Sequence, residues 1–310
     1  MAALCPLLKY KTMNPLFPFT HQQPEDHLTA FIKVLAEKFS PLYIYCFGRI
    51  TESSSREGCF IESSHEQKCM YYLLMITECA TRIENEVQHY ATAHFPQGQI
   101  TILVHGKDAL KEAIHANNKF FITVSNCGEL LYSRDKTVKS FQVPCFVPTQ
   151  AAVKARKHMT HHILLASGFL DSARECLRTG KYHLSIFMLH QVVEQCCMSL
   201  IRVHIAYRAD IHNLKRLLHL CDGFSPALSD LFLDESEEGL RLFNLMLKSY
   251  SAARYNYDFH VEAADAERLC NQVSAFFEMT AVLCEDKIES LAIEAEVYKH
   301  LKKESEVYYG

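Results

Sequence analysis

Apolar and polar residues recur with two different periods along this chain, and the change of period divides it near residue 145. In DHLTAFIKVLAEKF the apolar residues Leu28, Phe31, Ile32, Leu35 and Phe39 stand three or four apart, which predicts a helix with one buried face. PLYIYCFG is a short β-branched and aromatic run, a strand that should end in a turn at Gly48, and the polar TESSSREG after it reads as a loop. CMYYLLMIT is apolar at consecutive positions, as a strand buried on both faces is. ATRIENEVQHYATAH then predicts a helix, GQITILVHG a third strand and KDALKEAIHANN another helix. FFITVSNCGELLYS alternates around Cys127-Gly128 as a hairpin would. The order is that of an α+β unit with a small mixed sheet.

Pro144 and Pro148 interrupt regular structure, and beyond them the period becomes helical throughout. A first long helix covers roughly Ala151 to Leu177 and should stop at Gly180. In the second, Tyr182, Ile186, Leu189, Val193, Cys196 and Leu200 form one stripe and many other positions are also apolar, so it should be the central helix. HNLKRLLHLC predicts a third, with His212 near its start, and SPALSDLF a turn capped by Ser225. ESEEGLRLFNLMLKSYSAARY is a fourth with acids in its first turn, where the helix dipole prefers them. A fifth starts at EAADAERL. The expected organisation is an arm over 1–24, an α+β domain over 25–140, a linker over 141–150, an all-α up-and-down bundle over 151–290 and a charged tail over 291–310.

Charge narrows the function classes. The 310 residues carry a formal charge of -4, with 14 basic and 14 acidic residues up to position 150 and 18 and 22 beyond it, so no global basic field recruits nucleic acid and any RNA contact is local. The 13 cysteines are scattered with no CxxC, which fits neither a zinc ribbon nor a disulfide framework and suits reduced core thiols. The N-terminus lacks the charge and apolar run of a secretory signal, and no apolar run of about 18 residues is evident, so a reduced, cytoplasmic setting without membrane contact is expected.

The stretch LKSYSAARYNYDFH holds the most suggestive chemistry. Arg254 offers a planar fork of donors for a phosphate, and His260, with five residues between the two, offers an imidazole that can move a proton. The structural alternative has Arg254 paired with a carboxylate and His260 capping the next helix. Tyr250, Tyr255 and Tyr257 suit base stacking or a core or dimer contact, with Asn256 between the last two. In the first half, Arg49 and Ser53 suit either a phosphate or a solvated loop. His190 and Glu194, four apart, should form a buried hydrogen-bonded pair, and His161 and His162 should point in different directions. No metal ligand set or cofactor motif is read.

Residues 25–140 resemble the nucleotidyltransferase domain of the DNA polymerase β superfamily, yet the carboxylates that family uses for Mg²⁺ are missing from Tyr71–Ile76 and Ile102–Val104. The resemblance therefore implies a degenerate, catalytically inactive domain. "RTGKY", "LHQVVEQ", "HNLKRLL" and "YSAARY", in that order, are similar to a HEPN domain, and the pairing resembles the layout of kanamycin nucleotidyltransferase. Ribonuclease members of the HEPN family carry an Arg followed after four to six residues by a His, so the resemblance implies metal-independent RNA cleavage by Arg254 and His260 across a homodimer. It also implies nucleotide or RNA as ligand and an antitoxin-like protein as partner. Other members are non-catalytic, and Tyr255 stands where active ones often have a small polar residue, so a scaffold or interaction module is the alternative.

Overall fold

The computed structural model describes residues 24–58, 61–78, 83–96, 98–135, 143–225, 228, 231–232 and 236–309, with backbone alone at 24–26, 52–58, 61–68 and 305–309. Most of the expected arm and half of the SPALSDLF turn lie outside these residues.

α1 (Pro24–Phe39) buries Leu28, Phe31, Ile32 and Leu35, four of the five residues its period marks, and Phe39 is half-buried. β1 (Tyr43–Gly58) and β2 (Ile61–Thr77) form a long antiparallel hairpin. After α2 (Glu84–His94), β3 (Gly98–Gly106) runs parallel to β2. α3 (Lys107–His115) and α4 (Lys119–Cys127) lead to β4 (Glu129–Ser133), antiparallel to β1. The sheet is mixed, in the order β3-β2-β1-β4.

Two expectations fail here. The Ser-rich segment is strand, not loop: β1 continues through it, with Ser53 opposite Gln67. Ladder hydrogen bonds are made by the backbone, so a polar sequence can extend a hairpin whose register is already set by its apolar end. Gly48 is accordingly no turn but sits beside a register shift, where an added Cβ would come within 3.0 Å of the Tyr72 ring. The second failure is the hairpin at 120–133, whose first half is α4. Asn118 accepts from the Phe121 amide as N-cap, and Phe120, Phe121, Ile122 and Val124 are all buried, so capping and tertiary burial override the β-branched local preference.

A 3-10 turn (Pro148–Gln150) leads into the helices, α5 (Ala151–Arg178), α6 (Tyr182–Ile205), α7 (Leu214–Asp222), α8 (Glu237–Tyr255) and α9 (Ala263–Tyr309). α5 ends before Gly180, whose φ of 73° only glycine adopts at little cost. α6 is central, packed against α5, α7, α8 and α9. It is long and apolar enough to cross a membrane, and its apolar residues are largely buried by these neighbours. The segment expected as a charged tail continues α9 without a break.

β2 decides how the halves meet. Its Tyr71, Leu73 and Met75 pack with α1 and α2 on one face, while Tyr72, Leu74 and Ile76 join α3, α4 and the helical region in one continuous core. The strand is apolar on both faces because it is covered on both. α7 is also tied to the sheet by the buried Arg216, which donates to the Ile102 carbonyl on β3 and pairs with Glu84 at 2.9 Å. Seven of the ten described cysteines are buried, and all ten are free thiols.

Candidate functional site

α8 ends at Tyr255, and the connection to α9 is pinned by alternate residues. Phe259 packs against the core and Val261 is buried, which leaves Tyr257 and His260 outside. Asn256 is used locally, its Oδ1 accepting from the Asp258 amide at 3.0 Å to fix the turn.

Arg254 lies on the last turn of α8, exposed to solvent. Its Nε donates to the Tyr250 carbonyl at 2.8 Å, and its guanidinium lies 4.6 Å from the Tyr250 ring, 5.1 Å from Tyr255 and 5.5 Å from Phe187. No carboxylate within 4 Å pairs with it among the described residues. The aromatic rings orient the guanidinium plane and leave its terminal nitrogens uncommitted. His260 is also exposed, with Nε2 3.3 Å from Glu262 Oε1.

Beneath this surface, the Tyr250 ring packs on His190 of α6 at 5.0 Å. Burial, reinforced by the positive charge of Arg254, pulls His190 down to about 4, so it is neutral at physiological pH. The expected His190–Glu194 hydrogen bond is not formed, because Nδ1 stands 3.9 Å from Glu194 Oε2. Glu194 instead takes His212 at 3.1 Å, and burial raises its carboxyl above the usual range against that hydrogen bond.

Of the residues marked in the sequence, the structure brings Tyr250, Arg254 and Tyr255 together and sets Asn256, Tyr257 and His260 on the same connection. Arg49 and Ser53 are elsewhere, on β1, with the Arg49 guanidinium 5.1 Å from the Tyr71 ring on the α1–α2 side of the sheet. Ser53 is placed by its backbone alone. His161 and His162, expected to diverge, have rings 5.0 Å apart and flank one cleft, because 100° steps around a helix still let neighbours border the same groove. Sequence reasoning missed Phe187, Arg202 and Arg216. The one signal for the two arginines was a charge inside an otherwise apolar helical run.

Residues 159–285 match the model of the HEPN domain. No curated protein matches the chain. The HEPN match runs from within α5 into α9 and contains Arg254, His260, His190, Glu194 and His212. The N-terminal sheet lies outside it. Among the described residues of the chain, no three metal-binding side chains come together.

Proposed function

We propose that the HEPN region binds RNA through Arg254 and cleaves it without a metal, with His260 as the acid–base group. The observation that carries this reading is the Arg254 guanidinium, exposed and oriented by three aromatic rings while only its Nε is engaged by the chain. A phosphate can then take both terminal nitrogens in the bidentate geometry that arginine favours. His260 would remove the proton from a ribose 2′-OH. The 2′ oxygen attacks the adjacent phosphorus, Arg254 stabilises the charge on the phosphorane, and the 5′ oxygen leaves with a proton. The products would be a 2′,3′-cyclic phosphate and a 5′-hydroxyl.

Neither Arg254 nor His260 lines a described cavity of the single chain. A second copy facing the first would supply the missing wall and a second histidine, so that one serves as base and the other as acid. The exposed Tyr255 and Tyr257 suit either base stacking or this contact. In this reading the N-terminal region is an inactive nucleotidyltransferase-like scaffold in a reducing cytoplasm, since hydrocarbon fills Tyr71–Ile76 and Ile102–Val104. Titration of labelled single-stranded RNA with wild type, Arg254→Lys and Arg254→Ala tests the first step. Binding that weakens about tenfold or more in Arg254→Ala, and less in Arg254→Lys, supports it. Equal binding by all three would leave a non-catalytic interaction module as the better reading.

A further inference from the structure

We propose that the cleft between β3 and the helices α5 and α6 binds a phosphate-bearing small molecule through Arg202. This site is separate from Arg254 and does not depend on the nuclease reading.

The cleft has a volume of about 890 Å³, within the range of about 300–1,000 Å³ usual for small-molecule sites. Its floor lies just beyond the carboxyl ends of the parallel pair β2 and β3, where Thr77 and Gly106 are partners in the ladder. In α/β sheets this is where ligands bind, because strand ends and helix starts leave a crevice there. The connection from α6 to α7 closes one side. It leaves α6 through Ala206, a non-glycine residue at φ 57°, and then turns Tyr207 inward to meet His105 Nε2 with its hydroxyl at 2.9 Å. A left-handed alanine is strained, and the structure keeps it where the cleft wall begins.

Charge identifies the ligand class. Two carboxylates line the cleft and each already has a cation: Glu84 is held by Arg216 at 2.9 Å, and Asp210 by Arg208 at 3.2 Å. Arg202 has none. It is half-buried on the last turn of α6, with no hydrogen bond and no ion pair among the described residues. His158, His161 and His162 of α5 line the same cleft, and His162 Nδ1 donates to Gln195 Oε1 at 2.9 Å, which fixes that ring. Burial, then Arg208, weigh against the charge on Arg202 and Asp210 only partly offsets them, so the site holds a cation that a further anion would stabilise. A planar guanidinium beside imidazoles matches a phosphate better than a single carboxylate. The volume far exceeds one phosphate group, and Val104, Ala109 and Met198 supply apolar wall for the rest of a nucleotide or phosphosugar.

The test is calorimetric titration of the full chain with inorganic pyrophosphate, ADP and adenosine, repeated on Arg202→Gln, His162→Gln and Arg254→Ala. Pyrophosphate and ADP should bind and adenosine should not. Arg202→Gln should lose at least about tenfold in affinity and His162→Gln less, at unchanged far-UV circular dichroism, and both losses should recur in the Arg254→Ala background. Pyrophosphate binding without ADP binding would support a phosphorylated ligand other than an adenine nucleotide. Absence of binding by wild type at millimolar pyrophosphate and ADP would overturn the proposal, as would equal binding by the folded Arg202→Gln protein. Loss of pyrophosphate binding in Arg254→Ala would place the anion at the RNA surface and overturn it too.

Discussion

Arg254 could be marked as a candidate from the sequence because its chemistry and its spacing from His260 both lie in one short stretch. Phe187, 67 positions earlier, could not be read as its partner, since only the packing of α8 on α6 brings that ring under the guanidinium. Arg202 escaped notice for the same reason, its cleft being assembled from α2, β3, α3, α5, α6 and the connection to α7. Ala206 offers a stability test at this scale. A left-handed residue other than glycine costs about 1–2 kcal/mol, and glycine returns about 0.4–1 kcal/mol through its freer unfolded chain. Ala206→Gly should therefore stabilise by roughly 0.5 kcal/mol. A urea midpoint that falls would contradict the assigned backbone. The buried histidines give a pH test. Burial pulls His190, His204 and His219 down to about 4, below the ordinary value near 6.5, so the unfolded chain binds more protons between those limits. Their contribution is complete above pH 6.5 and is lost as pH falls through 4. The melting temperature should drop between pH 7 and 5, and a flat or rising profile would show that these rings are solvated.

At the scale of elements, apolar period located α1, β2, α5 and α6 because each carries enough buried residues to dominate its own pattern. α4 was misread since Phe120, Phe121, Ile122 and Val124 suit a strand equally well, and only the Asn118 cap and the bundle beside it select a helix. β1 was cut short because its outer half has no apolar face for a pattern to show. α7 supplies the sharpest prediction here. Removing one partner of a fully buried ion pair costs about 3–5 kcal/mol, and Glu84 is partly exposed, so Arg216→Met should cost about 2–3 kcal/mol. Adding Glu84→Gln should recover part of the loss. Denaturant unfolding of the two variants and wild type measures both, and an Arg216→Met protein as stable as wild type would show that α7 is not anchored through this pair.

For the whole molecule, the sequence anticipated an α+β region followed by helices but not how tightly they join. One core runs from Tyr72, Leu74 and Ile76 through α4 to α6, so residues 143–310 expressed alone would expose apolar surface that the full chain covers. That fragment should melt well below the intact protein or aggregate, whereas an equal melting temperature would argue for two independent bodies. The central claim concerns the exposed pair on the HEPN region. The most direct measurement is cleavage of end-labelled structured RNA in EDTA by the purified full chain, with His260→Ala beside it and the product ends identified. The account predicts fragments ending in 2′,3′-cyclic phosphate that fall at least about a hundredfold in the variant, the usual scale of one acid–base group. Cleavage that persists undiminished in His260→Ala, or no cleavage by folded dimeric wild type, would contradict it.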